Sequence, residues 1–237
     1  MSIQIEIDGT AVTTEEGKTL VDAAAEAGVY IPALCYLPEH PALGTCRVCS
    51  VKVDGRITAA CTVAVTDGMR VQVSDPETTA ARKALVEMLF SEGTHNCPSC
   101  EKAGRCTLQA VGYEVEMVVS PFPYQFPTRV ADHASDTIWL ERDRCIFCQR
   151  CVEFVRDRET GKKIFSISGR GTHARIEIDV ELADKMPPDQ IREAVDICPV
   201  GTILKKGVGY DEPIGERRYD LESVRDRALE PSPRPAT

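Results

Sequence analysis

The stretch CIFCQRC at residues 145–151 contains two C-x2-C steps that share a cysteine. Three thiolates at this spacing wrap around one metal centre. Zinc usually requires two paired C-x2-C units, which together close a tetrahedron. A further ligand is available far along the chain, because a lone cysteine is followed by proline at Cys198-Pro199. The pattern predicts one metal centre held by Cys145, Cys148, Cys151 and Cys198.

The spacing C-x2-C-x2-C opens the run that binds 4Fe–4S clusters in bacterial ferredoxins, and the full run adds C-x3-C-P. Here Val155 occupies the x3 position, and Cys198-Pro199 resembles the end of a second run. The other three cysteines of that second run would stand at Pro188, Ile191 and Ala194. All ligands of a second cluster are therefore missing together. We interpret the region as a two-cluster ferredoxin module reduced to one 4Fe–4S cluster.

The composition excludes several classes of protein. The 237 residues carry a formal net charge of −9, which disfavours nucleic acid as a partner because such binding uses basic clusters. The sequence contains neither an apolar run long enough for a membrane span nor a secretory signal pattern, so we expect a cytoplasmic protein. Eleven cysteines without an export signal indicate metal binding rather than disulfides.

A second group of cysteines lies in the first third of the chain. Ile3, Ile5 and Ile7 alternate with polar residues, which predicts a strand; Asp8-Gly9 predicts a hairpin turn, and Thr19 predicts a helix cap. The cysteines that follow are Cys35, Cys46, Cys49 and Cys61, with spacings x10, x2 and x11. The region resembles plant-type 2Fe–2S ferredoxins, although their first gap is x4. A zinc site is the alternative, because one C-x2-C unit and two further cysteines also suit zinc.

A third group follows a predicted helix at residues 76–91. We expect a cap at Ser74 or Asp75 and an apolar stripe that packs in the core. This predicted stripe comprises Ala81, Leu85, Met88 and Leu89. The segment HNCPSCEKAGRC then gives C-x2-C-x5-C with a nearby histidine, and a second helix is predicted at about residues 105–112. The residues of this group are His95, Cys97, Cys100 and Cys106.

His95 is the expected twelfth ligand. Three clusters need about twelve ligands by simple addition, and the eleven cysteines divide into groups of four, three and four. Of the four histidines, His95 alone lies within the incomplete group. The alternative is that His95 only caps the end of the preceding helix. With all clusters counted, we expect one 2Fe–2S cluster and two 4Fe–4S clusters.

The remaining segments complete the predicted α+β architecture. Residues 118–136 should be irregular because Pro121, Pro123 and Pro127 interrupt them. Strands are predicted at 137–141, 163–168 and 172–178, with helices at 149–158 and 188–195. The segment GRGTHA at 169–174 matches GxGxxA, but a strand pattern follows where a dinucleotide site needs a helix, so we interpret its glycines as turn residues.

Four regions follow from these patterns. We expect a β-grasp 2Fe–2S ferredoxin-like domain at 1–75 and a helical His/Cys3 4Fe–4S domain with a linker at 76–136. A reduced bacterial-ferredoxin-like 4Fe–4S domain should span 137–205. Residues 206–237 form a charged, proline-rich tail with little means of folding alone. Truncation after Lys206 is expected to spare all clusters and to weaken assembly with partners, unless the tail is solvated and has no role.

The order of these cysteine groups over residues 1 to about 205 resembles that in the N-terminal regions of the complex I large iron–sulfur subunit and of iron-only hydrogenases. Those proteins continue into further domains. At this length, and with HNCPSCEKAGRC in its middle, the chain is most similar to the small diaphorase, or gamma, subunits of NAD-reducing nickel–iron hydrogenases. One departure concerns the histidine, which stands four residues before the first cysteine in the complex I and iron-only versions. Here that position holds Gly93.

The resemblance implies a role in electron transfer. No residues suggest a flavin, nicotinamide or nickel–iron site, so we expect no catalytic residues in this chain. The family implies a diaphorase partner that carries FMN and binds NAD, and a hydrogenase partner that carries the nickel–iron centre. The implied reaction converts hydrogen and NAD⁺ to NADH and a proton, reversibly. The alternatives are an equivalent subunit of another NAD-linked complex, such as a formate dehydrogenase or a complex I-like enzyme, and a zinc-stabilised scaffold protein.

Overall fold

The computed structural model describes residues 1–229. The chain divides into two compact units. The first unit contains Met1–Val86, Val111–Val118 and the described residues from Glu222 onward; the second contains Glu87–Ala110 and Val119–Leu221. Mixed helices and sheets confirm the predicted α+β class. Of the helices in the described part of the chain, none combines the length and the apolar character needed to span a membrane.

The first unit is built on a five-stranded sheet. Its strands are β1 (Ser2–Ile7), β2 (Thr10–Glu15), β3 (Ser50–Val53), β4 (Arg56–Ala59) and β5 (Arg70–Gln72), in the order β2-β1-β5-β3-β4. Strand β1 pairs antiparallel with β2 and parallel with β5, and β3 pairs antiparallel with β4 and β5. Helix α1 (Leu20–Glu26) supplies Leu20, Ala23 and Ala24 to the same core cluster as the buried isoleucines of β1.

Local sequence explains this unit. Asp8 and Gly9 both have positive φ, which a tight hairpin turn between β1 and β2 requires. Thr19 caps α1, because its side chain accepts a hydrogen bond from the backbone N–H of Asp22 at 3.2 Å. The predicted hairpin and helix cap are both confirmed.

Helix α2 (Pro76–Glu92) is capped by Asp75, whose carboxylate accepts from two backbone N–H groups of the first turn. The predicted core stripe of α2 is wrong. Ala81 and Met88 are exposed, and Leu85 and Leu89 are only half-buried. The buried face instead contains Thr78, Arg82 and Val86. Arg82 can occupy it because its guanidinium donates to the carbonyl of Ser50 at 3.0 Å, so hydrogen bonding offsets the cost of burying the charge.

The second unit holds two small antiparallel sheets. Strand β6 (Ile138–Leu140) pairs with β9 (Ile203–Lys205), and β7 (Phe165–Ser168) pairs with β8 (Arg175–Ile178). Gly169 and Gly171, in the connection between β7 and β8, both have positive φ, as expected of turn residues. Strand β6 leads into the cysteine run, and β9 follows Cys198. Their pairing therefore brings the remote cysteine back toward that run.

The remaining helices are α3 (Thr107–Glu114), α4 (Arg150–Phe154), α5 (Val180–Asp184), α6 (Pro188–Ile197) and α7 (Val224–Leu229). Helix α4 is shorter than predicted. Helices α5 and α7 and strand β9 were not predicted. Helix α5 is capped by Asp179, whose side chain accepts from the backbone N–H of Leu182; a helix of five residues is too short to show a periodic apolar pattern.

The tail differs from the expectation that it has little means of folding alone. In the second unit, the hydroxyl of Tyr210 donates to the carbonyl of Ser99 at 2.7 Å, and the backbone N–H of Tyr219 donates to the carbonyl of Gly104 at 2.8 Å. In the first unit, Arg225 of α7 forms an ion pair with Glu114. The proline-rich end at 230–237 lies outside the described residues.

Candidate metal centres

The structure brings the four cysteines of the first unit together. Cys35, Cys49 and Cys61 are buried and Cys46 is half-buried. The thiols of Cys46 and Cys61 both hydrogen-bond Cys35, which lowers the pKa of Cys35, and Cys61 also hydrogen-bonds Cys49. Four sulfur atoms linked by these contacts form a donor set suited to a 2Fe–2S cluster.

The hairpin of β3 and β4 places two of these cysteines. Cys49 precedes β3, and Cys61 lies in a 3₁₀ turn directly after β4. The backbone N–H of Ala60 donates to the carbonyl of Cys49 at 3.1 Å, which holds the two strand ends together. In the loop before β3, Arg47 has a positive φ, and a Cβ on Gly44 would lie 2.7 Å from Cγ2 of Thr62. The loop therefore packs closely against the 3₁₀ turn that contains Cys61.

A second set of candidate ligands lies in the second unit, where one small cavity is walled by His95, Cys97, Cys100 and Cys106, among other residues. Cys97 begins a 3₁₀ turn, and Cys106 directly precedes α3. Burial raises the pKa of Cys106 to about 12 and also raises that of Cys97. Buried thiols resist ionisation unless a cation compensates the charge, and an iron centre would supply one.

His95 lines this cavity and has a free ring nitrogen. Its Nε2 atom is buried and makes no hydrogen bond in the described structure. Desolvation lowers the pKa of His95 to about 4, and the positive charge of Arg144 contributes to the same shift, so the ring is neutral at pH 7. The ring also hydrogen-bonds the backbone of Leu89, a contact that falls to Nδ1 because Nε2 has no partner. Metal-binding histidines typically use their second nitrogen in this way.

The third set of candidate ligands comprises Cys145, Cys148, Cys151 and Cys198, of which all but the half-buried Cys145 are buried. Burial raises the pKa of Cys145 to about 12. The pKa values of Cys148 and Cys151 are also raised, mainly by burial and next by the charge of the neighbouring Cys198. The four sulfurs therefore lie within electrostatic range of one another. Phe147 and Gln149 have positive φ, which gives the run the sharp turns it needs to surround one centre.

The segment after Cys198 also forms a wall of the His/Cys3 cavity. Gly201 lines that cavity, and a Cβ on it would lie only 2.8 Å from Sγ of Cys100. Only a glycine leaves room for the sulfur at this distance. The short segment from Cys198 to Gly201 therefore borders both sets of ligands in the second unit. One is the His/Cys3 group, and the other is the ferredoxin-like group of Cys145, Cys148, Cys151 and Cys198.

Two cationic side chains accompany these thiols. Lys102 is only 3% exposed, and its ammonium donates to the carbonyl of Val195 at 2.9 Å. Arg144 lines the His/Cys3 cavity, where its guanidinium donates to Glu101 at 2.9 Å and to the carbonyl of Gly201 at 3.3 Å. Positive charges placed here offset the negative charge that thiolates bring to a metal cluster.

Several of these residues escaped the sequence analysis. Lys102 lies inside the HNCPSCEKAGRC segment, so the sequence places it close to the candidate ligands. Nothing in the sequence indicates that it is buried. Leu89, Arg144 and Gly201 contribute through backbone atoms or through contacts distant in sequence, which spacing alone does not reveal.

Among residues 1–229, no group of three or more histidine, cysteine, aspartate or glutamate side chains is arranged to hold a single metal ion. The thiolates of an iron–sulfur cluster bind different iron atoms, so they need not converge on one point. Grouped thiols, most of them buried, together with the unpartnered Nε2 atom fit clusters of this kind.

Comparisons with known proteins agree with this chemistry. A family model described as a 2Fe-2S iron-sulfur cluster binding domain matches residues 1–76. The NADH-ubiquinone oxidoreductase-G iron-sulfur binding region matches residues 82–120. The NADH-quinone oxidoreductase subunit 3 ferredoxin-like domain matches residues 135–204.

Three similar proteins cover most of the chain. The gamma subunit of the NAD-reducing hydrogenase HoxS of Cupriavidus necator is 72% identical over 97% of this chain and 98% of its own length. A chain in the crystal structure of NAD⁺-reducing [NiFe]-hydrogenase in the H₂-reduced state superimposes with a TM-score of 0.86, at 36% identity over 97% of this chain and 99% of that chain. The mitochondrial NADH-ubiquinone oxidoreductase 78 kDa subunit of Neurospora crassa is 31% identical over 88% of this chain but only 28% of its own length. The resemblance inferred from the sequence is confirmed, and the chain belongs to the family of gamma subunits of NAD-reducing hydrogenases.

Proposed function

We propose that this chain is the iron–sulfur electron-transfer subunit of an NAD-reducing hydrogenase. It would relay electrons between a nickel–iron hydrogenase module and a diaphorase subunit that carries FMN and binds NAD. The reaction of the whole complex would be H₂ + NAD⁺ = NADH + H⁺. The observation that carries the proposal is the gathering of all eleven cysteines, seven buried and four half-buried, into three groups, with His95 and its free nitrogen beside the group that has three.

The proposed ligands follow these groups. Cys35, Cys46, Cys49 and Cys61 would hold a 2Fe–2S cluster. His95, Cys97, Cys100 and Cys106 would hold one 4Fe–4S cluster, and Cys145, Cys148, Cys151 and Cys198 the other. Bound clusters accept and release single electrons, with potentials set by their ligands, hydrogen bonds and exposure.

The chain's own residues hold and tune these centres. Burial keeps water away from Cys106, Cys148 and Cys198, whose exposed fractions are 9%, 7% and 6%. The carbonyl of Leu89 orients the ring of His95, so that Nε2 is the free nitrogen. The positive charge of Arg144 beside the His/Cys3 cavity favours a more negative, reduced cluster.

The proposed partners are the flavin/NAD-binding diaphorase subunit and the subunits of the nickel–iron hydrogenase module. The match to a chain of the NAD⁺-reducing hydrogenase structure supports this, because the likeness extends over 97% of the present chain. All eleven cysteines are free of disulfides, which is typical of the reducing cytoplasm, where we place the complex.

A complex I-like or other NAD-linked complex is a second candidate, favoured by the similarity to the NADH-ubiquinone oxidoreductase 78 kDa subunit. Co-purification of the native complex distinguishes the two. Nickel–iron hydrogenase chains are expected among the partners, and their replacement by quinone-reductase or formate dehydrogenase chains would contradict the first assignment.

Cluster content gives the first test. Anaerobically purified protein should contain about ten irons, the sum of one 2Fe–2S and two 4Fe–4S clusters. The isolated chain should reduce neither NAD⁺ nor protons, and addition of the partner subunits should restore hydrogen-dependent NAD⁺ reduction. Stoichiometric zinc, or activity of the isolated chain, would refute the proposal.

The ligand role of His95 is tested separately. His95→Ala should leave the His/Cys3 cluster labile or short of an iron. His95→Cys should keep this cluster at a lower potential, because thiolate adds a negative charge where neutral imidazole has none. Both variants should retain the other two clusters. Three intact clusters at wild-type potentials in redox-titrated EPR of His95→Ala would exclude His95 as a ligand.

A further inference from the structure

Gly93 stands two residues before His95, and the structure leaves no room there for a side chain. A Cβ atom on Gly93 would lie 2.4 Å from Nε2 and 2.8 Å from Cδ2 of His95. It would also lie 3.0 Å from the carbonyl oxygen of Asp143. The imidazole therefore occupies the space that any side chain at position 93 would need.

The backbone conformation does not require glycine at this position. The φ angle of Gly93 is not positive, so an L-residue could adopt its backbone angles. Gly93 is also buried, so a new methyl group could not move into solvent. Space beside the imidazole is thus the main reason for a glycine here.

The imidazole cannot move aside without cost. Its ring packs edge-on against Phe90, with ring centroids 5.3 Å apart, and it hydrogen-bonds the backbone of Leu89. A methyl group at position 93 would displace Nε2, the free nitrogen of the ring, because Nε2 is the nearest atom to it. The expected effect is on the geometry of the histidine within the His/Cys3 group.

We propose that Gly93 is a positioning residue that allows a histidine two residues before Cys97 to serve the His/Cys3 cluster. The absence of a side chain at 93 lets the ring of His95 fold back over the backbone and direct Nε2 toward the cavity. This inference rests on the proposed ligand role of His95.

Gly93→Ala tests the proposal against Gly209→Ala as a matched control. Gly209 lies in the same unit, has no positive φ, and has Cγ of Glu101 as its nearest neighbour at 3.8 Å, so it has room for a Cβ. Both variants are purified anaerobically and challenged with an iron chelator, while EPR follows each cluster. We expect Gly93→Ala to hold the His/Cys3 cluster about tenfold less tightly than the wild type does. This is the scale of affinity loss typical of a disturbed metal-ligand environment.

The other two clusters should be retained in Gly93→Ala, which shows that the protein has folded, and Gly209→Ala should match the wild type. Cysteine lacks the ring that overlaps position 93. Gly93→Ala should therefore cause no further loss when it is added to His95→Cys. If His95→Cys itself lacks the cluster, the melting temperature provides the comparison: Gly93→Ala should lower it more in the wild type than in His95→Cys, where only the contact with the carbonyl of Asp143 remains.

Two results would overturn the positioning role. One is wild-type retention of the His/Cys3 cluster by Gly93→Ala. The other is an equal effect of Gly93→Ala in the wild-type and His95→Cys backgrounds. Failure of the ligand assignment looks different, because the cluster would then survive unchanged in His95→Ala.

Discussion

The thiol of Cys106 donates a hydrogen bond to the carbonyl oxygen of Pro199, with the sulfur and oxygen 3.5 Å apart. Cys106 belongs to the His/Cys3 group, whereas Pro199 is bonded directly to Cys198 of the ferredoxin-like group. With iron bound, the sulfur would stand as a thiolate and lose that proton. The backbone N–H of Thr107 would still hold the carbonyl, to which it donates at 2.8 Å. A single residue, Pro199, thus separates the two groups of ligands.

Gly201→Ala should disturb the His/Cys3 cluster. The new Cβ would lie 2.8 Å from Sγ of Cys100, and overpacking of this kind typically costs about 1–3 kcal/mol. We expect a lower melting temperature and a changed midpoint potential for this cluster in redox-titrated EPR. Gly209→Ala serves as the control. An unchanged EPR signal and potential for the His/Cys3 cluster in Gly201→Ala would contradict the close contact.

Lys102→Met should lower the potentials of both 4Fe–4S clusters. The ammonium of Lys102 interacts electrostatically with Cys198 and Cys106, so its removal takes away a positive charge that favours reduction. Burial lowers the pKa of Lys102, but its hydrogen bond to Val195 favours the charged form. Redox titration measures the shift. The exposed Lys205, changed to Met, is the control and should leave both potentials unchanged. Equal potentials in Lys102→Met and Lys205→Met would argue against a role for the buried charge.

Cysteine spacing indicated which thiols lie near one another, whereas helical periodicity did not indicate the packing of α2. The thiols around Cys49, Cys100 and Cys148 are grouped in the structure, and their role as cluster ligands stays a prediction. The buried face of α2 was missed because Arg82, a charged residue, satisfies backbone carbonyls in the interior. Contacts distant in sequence, such as that between Gly201 and Cys100, leave no local pattern in the chain.

Truncation after Lys206 should weaken the His/Cys3 cluster, contrary to the expectation from sequence that it would spare every cluster. The tail contacts the loop between Cys100 and Cys106 directly. Arg217 donates to the carbonyl of Ala103 at 3.2 Å, and Arg105 forms ion pairs with Asp211 and Glu212. Iron retention and EPR of the truncated chain measure the effect. A His/Cys3 cluster as stable as that of the full chain would restore the original expectation.

Asp220→Asn offers a milder test of the same contact. The carboxylate of Asp220 accepts from Arg217 and from the backbone N–H of Gly215, and these hydrogen bonds, chiefly that from Arg217, lower its pKa to about 2. A lowered carboxyl pKa stabilises the folded state at pH values above the ordinary carboxyl pKa of about 4. This contribution disappears as the pH falls toward 2. At pH 7, Asp220→Asn should therefore speed proteolysis within 207–229. Glu216→Gln, at an exposed neighbouring carboxylate, should not.

Tyr36→Phe should destabilise the first unit. The hydroxyl of Tyr36 donates to the carboxylate of Asp22 at 2.6 Å, and the same carboxylate accepts from Thr19 at 2.7 Å. Hydrogen bonds to charged groups typically contribute about 1.5–3 kcal/mol. We expect a lower melting temperature and faster loss of the cluster beside Cys35. Visible absorption measures the loss of the cluster. Tyr113→Phe, at a 74% exposed ring, is the control. Equal stability of the two variants would show that the buried hydroxyl contributes little.

The close packing of Gly93 against His95 has a consequence for the history of this family. Two neighbouring positions that compete for one volume cannot change independently, since a side chain at 93 and an imidazole at 95 exclude each other. A lineage that moved its histidine between these positions would have to pass through an ancestor with a weakened cluster or change both codons together. Across related sequences, the residues aligned with 93 and 95 should therefore vary as a pair.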